Sequence, residues 1–262
     1  AYEIRLSLVG SEMCIRDSLS LVAGCASTPP GTVEIKNPTE QAKLYTEMGT
    51  AALVRGEYPQ AVEDLRKAIM IDEKNPIAHN HLGLAYFALG KKDLAKKEIE
   101  LAIKHDPEYS DAYINLGNFL VEKKDLEGAK KLYRKALDNL EYKMRHRALT
   151  SLAQVELRQG NTLQARQLLH QSINANPEYC LSHFLLGSIY MRENNVRRAA
   201  EEYKKSVEKS CAGNPEGHLN LGLSYMRLKE YEKARSSFVF LIEQFPETLQ
   251  AQKAGDLIKD IP

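Results

Sequence analysis

The sequence predicts an all-α protein, a superhelical solenoid of six helix-turn-helix hairpins closed by a C-terminal capping helix. Three observations carry that prediction. Six small residues, Gly49, Gly83, Gly117, Ala153, Gly187 and Gly222, recur at separations of 34, 34, 36, 34 and 35, each preceded by an apolar residue. Twelve residues after each comes an alanine: Ala61, Ala95, Ala129, Ala165, Ala199 and Ala234. Two helices can cross closely only where side chains are small, so this register marks a stack of hairpins. Third, apolar residues are spaced three and four apart without alternation, as in Leu116, Phe119, Leu120 and then Ala129, Leu132, Tyr133, Ala136. That is a helical period, and no segment reads as a strand.

Counting the small residue as eighth, the units span 42–75, 76–109, 110–145, 146–179, 180–214 and 215–248. In helix A the eleventh position is Tyr86, Leu120, Tyr190 or Tyr225, with Ala52 in the first unit and Glu156 in the fourth. The turn at position 15 holds Gly56, Gly90, Gly160 and Asn194, residues that accept a left-handed backbone, whereas Lys124 and Lys229 must accept it at a cost. In helix B, position 24 is Leu65, Ile99, Tyr133, Leu169, Tyr203 or Phe238, expected to fill the space between neighbouring units. Pro76, Pro107, Pro177, Pro215 and Pro246 stop one helix before the next begins. The third unit lacks its proline, so its helix B is expected to run on from Leu137 to Tyr142. Residues 249–262 are expected to cap the stack, with Leu249, Leu257 and Ile258 inward and Gln252, Lys253, Asp256 and Lys259 wet. The pattern resembles the tetratricopeptide repeat. Ser172, Ser206 and Leu241 depart from it by replacing the usual alanine at position 27.

The N-terminus bears on location. Val22-Ala23-Gly24-Cys25 resembles a bacterial lipobox, which implies that Cys25 is lipidated as the first mature residue. Residues 25–39 then read as a flexible tether, rich in Ser, Thr and Pro, before helical periodicity begins near Glu40. Residues 19–24 read as the remnant of a lipoprotein signal. Glu12, Arg16 and Asp17 break up what precedes them, and 1–18 is read as a non-native stretch resembling a translated sequencing adapter, expected to make no stable contact with the solenoid. Ala26, rather than Asp, follows the cysteine, which favours the outer membrane, periplasmic face. No run of 18 or more apolar residues occurs, so acyl chains would be the only anchor.

Lys and Arg number 36 against 35 Asp and Glu, which disfavours a nucleic-acid partner. Cys180 and Cys211 lie at positions 1 and 32 of the fifth unit, ends that antiparallel helices place side by side. They are either two separate buried thiols or a disulfide. The disulfide would suit an oxidising compartment, and its loop of ~32 residues is worth roughly 3–4 kcal/mol.

His79, His183 and His218 all fall at position 4 and read as interface packing rather than metal ligands. No nucleophile with a neighbouring base, Cys-x-x-Cys or phosphate loop appears. No enzyme, metal, cofactor or small-molecule substrate is expected, apart from lipid on Cys25.

The expected site is the concave groove lined by helix A. Its candidates are Leu53, Leu84 and Phe87, then Phe184, Met191, Leu219, Leu223 and Met226, an apolar strip with adaptable thioethers. Arg158, Arg192 and Arg227 recur at position 13 beside it and suit a peptide with acidic or carbonyl character. Some of these apolar residues can equally be packed against the next unit or the cap. Chaperone-tail docking is disfavoured, since Asn115 and Asn118 are present but Ile114 stands where a lysine is needed.

Six units, a cap, a lipobox and cysteines flanking the fifth unit together resemble the type IV pilus biogenesis/stability family of PilW/PilF-type pilotins. The run Asn214 to Leu223 is similar to that family's sixth unit. The resemblance implies an outer-membrane scaffold whose partner is the pilus secretin subunit, which it would localise and help to multimerise. The alternative is a periplasmic lipoprotein that regulates cell-wall enzymes or assists outer-membrane protein assembly.

Overall fold

The computed structural model describes residues 37–262. The readings placed on 1–36, including lipidated Cys25, lie outside the described residues. Each hairpin is an A helix followed by a B helix: α1 (Pro38–Val54) with α2 (Tyr58–Ile71), α3 (Pro76–Ala88) with α4 (Lys92–His105), and α5 (Ser110–Glu122) with α6 (Leu126–Asp138). The second half continues with α7 (Arg145–Arg158) and α8 (Thr162–Ala175), α9 (Cys180–Arg192) and α10 (Val196–Lys205), α11 (Pro215–Arg227) and α12 (Tyr231–Gln244), and α13 (Leu249–Lys259) as the cap. Among the described residues there is no strand.

Every hairpin turns on one left-handed residue at position 15. Gly56, Gly90 and Gly160 have φ of 78°, 74° and 83°, while Lys124, Asn194 and Lys229 reach 65°, 59° and 61°. The following helix starts against that residue, so the pitch of each hairpin depends on it. Helix α1 begins at Pro38, capped by the Asn37 side chain, so two residues expected in the tether are helical. Pro76 and Pro215 occupy the first turn of α3 and α11, beginning helices rather than ending them, where a missing N–H costs nothing.

The small eighth residue meets position 24 of its own unit. A Cβ built on Gly49, Gly83, Gly117, Gly187 or Gly222 would lie 2.3–2.8 Å from Leu65, Ile99, Tyr133, Tyr203 or Phe238 respectively. Position 24 therefore fills the interior of its own hairpin, and Tyr133 in addition borders Ser151 and Gln154 of the next unit. The alanine at position 20 is fully buried in all six units.

The third unit also departs from expectation. Helix α6 stops at Asp138 instead of running to Tyr142. Arg145 donates to the Leu137 and Asn139 carbonyls, 2.9 and 3.0 Å away, and so satisfies the helix end that the proline leaves open elsewhere. The extra residues form a loop pinned by Tyr142, whose hydroxyl donates to Asp111.

Successive A helices touch one another (α1 with α3, α3 with α5, α5 with α7, α7 with α9, α11 with α13), and no comparable contact joins successive B helices. The A helices therefore line the inner, concave wall. Helix α13 docks on α11 and α12 through Ala251, Ala254, Leu257 and Ile258. Leu249, expected to face inward, is 59% exposed because it stands at the start of that helix.

Candidate functional site

The groove changes character along its length. At its N-terminal end, Thr46, Thr50, Ile77 and His81 line a cavity of about 540 Å³ between α1 and α3. The Thr50 hydroxyl donates to the Thr46 carbonyl at 2.7 Å and therefore accepts from His81 Nδ1, also at 2.7 Å. Burial holds the His81 pKa down, with Asp111 opposing it, so the imidazole is neutral.

The middle of the groove is polar. Asn118, Ser151, Gln154 and Arg158 surround a recess of about 210 Å³ over Tyr133. The Tyr133 hydroxyl donates to Asn118 Oδ1 at 2.7 Å. Asn115 donates to Asn80 at 2.9 Å and Asn80 donates to the Tyr109 hydroxyl, so these amides tie units two and three together from within. The asparagines that carboxylate-clamping repeats would turn outward are committed here to the wall itself.

The C-terminal end is largely filled. Leu219 is 4% exposed, and Leu223 and Met226 pack with it against Leu257 and Ile258 of α13. The expected apolar strip is thus mostly the seat of the cap, which takes the place an A helix of a seventh unit would hold. Phe184 and Met191 are half-buried against the central core, Phe184 with its ring 5.8 Å from Tyr203. Leu53 packs against the first-unit core and Leu84 is half-buried. Phe87 is the open apolar residue, 38% exposed, with its edge against Phe119.

The three arginines are exposed. Arg227 reaches back one unit, donating to Asn194 Oδ1 at 3.3 Å and lying on Met191 Sδ at 2.9 Å. Arg158 and Arg192 have no ion pair among the described residues and remain available to a ligand.

Behind the groove, Cys180 and Cys211 are joined, their Cα atoms 5.5 Å apart. One buried feature went unrecognised in the sequence. Glu156, alone among the eleventh positions in being charged, pairs with Lys130 of the preceding unit at 2.8 Å and accepts from Asn161 at 2.7 Å. Burial pushes its carboxyl up, but the bonds from Lys130 and Asn161 outweigh this and hold it below the ordinary carboxylate value. The signal was a Glu at an aromatic position with a Lys facing it from the previous helix B.

Among the described residues no group of His, Cys, Asp and Glu could hold a metal, and no helix is long and apolar enough to cross a membrane. The geometry offers an open, mostly polar groove with an aromatic edge and free guanidinium groups, suited to an extended polypeptide.

Comparison with known proteins places these observations. Profiles described as TPR repeat match 50–90, tetratricopeptide repeat 82–142 and 216–248, and tetratricopeptide repeat-like domain 116–227. The type IV pilus assembly protein PilF of Pseudomonas aeruginosa is 25% identical over 219 residues, 83% of this chain and 86% of that protein. The heat-shock cognate co-chaperone sgt12 of Aspergillus fumigatus is 32% identical over 123 residues, but the chain spans only 36% of it. Among solved structures, P. aeruginosa PilF superposes with a TM-score of 0.71 at 24% identity, covering 84% of this chain and 99% of that one. PilW, described as a widely conserved type IV pilus biogenesis factor, gives 0.68 at 20% identity, covering 81% and 97%. At these identities the two structures show the shared fold.

Proposed function

Since this chain belongs to the tetratricopeptide-repeat family and is similar to PilF over nearly all of that protein's length, we propose that it is a protein-binding scaffold of pilus biogenesis acting as a pilotin. In this reading, lipid on Cys25 carries it to the periplasmic face of the outer membrane. The concave groove holds an extended segment of the pilus secretin subunit, and the complex assists localisation and multimerisation.

The observation that supports this best is the open stretch of inner wall between α3 and α7. Phe87, the Asn118–Gln154 recess and unpaired Arg158 face solvent there in sequence. An apolar edge followed by polar groups and a guanidinium fits a peptide with one bulky apolar residue and acidic or carbonyl groups beyond it.

The test is recovery of the secretin subunit with the full chain from membranes. Phe87→Glu with Arg158→Glu is expected to cut recovery about tenfold, equivalent to about 1.4 kcal/mol of binding. Undiminished recovery overturns the groove as the site. Recovery of cell-wall enzymes or of the barrel-assembly machinery in place of a secretin overturns the pilotin role. Cys25→Ser is expected to move the protein to the soluble periplasmic fraction, and retention at the membrane would remove the lipid from the account.

A further inference from the structure

Histidine occupies position 4 in units two, five and six, and one partner separates the third case from the others. His79 Nδ1 lies 2.6 Å from Glu98 Oε2 and its Nε2 3.0 Å from the Glu73 carbonyl. His183 repeats this with Glu202 at 2.6 Å and the Pro177 carbonyl at 2.9 Å. In both units the carboxylate comes from position 23. A ring that faces an acceptor at each nitrogen satisfies both only when both carry protons.

In unit six, His218 keeps the carbonyl bond, Nε2 to Ala212 at 2.9 Å, and makes no other hydrogen bond. Position 23 is Ser237, whose hydroxyl donates instead to the Lys233 carbonyl at 2.9 Å. His218 is only 6% exposed. Burial lowers its pKa, against the opposing pull of the Ala212 carbonyl, so the ring is neutral and Nδ1 presents a lone pair without a donor.

His218 and Ser237 both line a cleft of about 440 Å³. Its apolar walls are Val207, Leu221, Tyr225 and Phe240, and the Phe240 ring packs on His218 with centroids 4.6 Å apart. The space exists because α10 has 10 residues where other B helices have 13 or 14. After it the chain turns through Lys209, at φ 53°, and returns to Cys180 through Cys211. The charged groups facing the cleft are Lys204 and Glu208, 3.6 Å apart, with Glu232 and Lys233 from α12.

We propose that this cleft binds an acidic side chain of a partner polypeptide, its carboxylate taking the place at His218 Nδ1 that Glu98 and Glu202 occupy in their own units. The apolar walls receive the methylene stem. Lys204 and Lys233 stand at the rim. The ring takes up one proton from solvent as the carboxylate arrives, so occupancy is coupled to pH. The site is separate from the groove and does not depend on the pilotin reading.

The experiment is imidazole NMR of the full chain titrated with N-acetylglutamate methylamide. A saturable shift confined to His218 is expected, with affinity falling by up to about tenfold per pH unit as the pH rises through neutrality. The neutral glutamine analogue is expected to give none. Ser237→Glu supplies the carboxylate internally and is expected to raise the His218 titration midpoint and abolish the response. No saturable shift at His218, an equal response to both probes, or a wild-type response in Ser237→Glu each overturns the proposal.

Discussion

Single residues set the closeness of the helices, and one methyl group is enough to disturb it. A Cβ on Gly222 would stand 2.3 Å from a ring carbon of fully buried Phe238. Gly222→Ala is therefore expected to destabilise by about 1–3 kcal/mol in urea unfolding, and a loss below about 0.5 kcal/mol would show that the ring yields freely. Ala153 holds the same register opposite Leu169, so a branched aliphatic partner does accept the methyl there. At Lys229, held at φ 61°, replacement by glycine removes a Cβ penalty and is expected to stabilise by about 1 kcal/mol, read as a higher urea midpoint. His79 supplies a pH signature. Burial works against its proton, yet the bonds to Glu98 and the Glu73 carbonyl raise its pKa above 6.5. A raised folded value means the clamp stabilises fully below the unfolded pKa and loses that contribution as pH climbs through the folded one. The stability advantage of wild type over Glu98→Gln should therefore shrink between about pH 6 and pH 8, and a constant difference would refute the doubly protonated ring. The register of small residues was plain in the sequence, but their partner was not. Spacing locates Gly222 and Ala234 equally well, whereas the rotation of helix B that brings Phe238 to the glycine depends on three-dimensional packing.

Elements differ in how much of them could be read beforehand. Turns at position 15 were legible because glycine and asparagine advertise a left-handed backbone, and the two lysines adopt it because the surrounding hairpin dictates it. The end of α6 was not legible, since its stop signal is a side chain, Arg145, reaching back six and eight residues rather than a proline. The Lys130–Glu156 pair joins unit three to unit four with side chains 11% and 4% exposed. Glu156→Ala leaves the buried Lys130 ammonium with only the exposed Glu127 carboxylate, 3.7 Å away, and is expected to cost about 2–4 kcal/mol in thermal or urea unfolding. Replacing both residues by leucine and methionine should recover most of that loss, and failure to recover it would mean that the pair also fixes the register between units. The bond between Cys180 and Cys211 encloses a separation of 31 residues, and its reduction is expected to lower stability by about 2–4 kcal/mol, measured as the shift in unfolding midpoint with dithiothreitol.

For the whole molecule, stability runs from neighbour to neighbour, so the ends matter more than in a globular domain. Removing 249–262 would bare Leu219, Leu223 and Met226, which α13 covers. Hydrogen exchange in that truncated chain should show protection lost first in α11 and α12 while α3 to α8 remain protected, and uniform loss would mean that the stack unfolds as one unit. The candidate groove was legible as a surface but not in its occupancy. Repeat position tells which side chains face the inner wall, and nothing in the sequence alone told that the cap would claim the apolar ones. The open stretch therefore lies further toward the amino end, around Phe87 and Arg158. Because the described chain begins and ends on a helix of the same type, its thirteen helices divide unequally, seven on the inside of the bend and six on the outside. An extended ligand lying along the open stretch would thus run up against an inner-wall helix, α13, where the cap closes the far end of the trough.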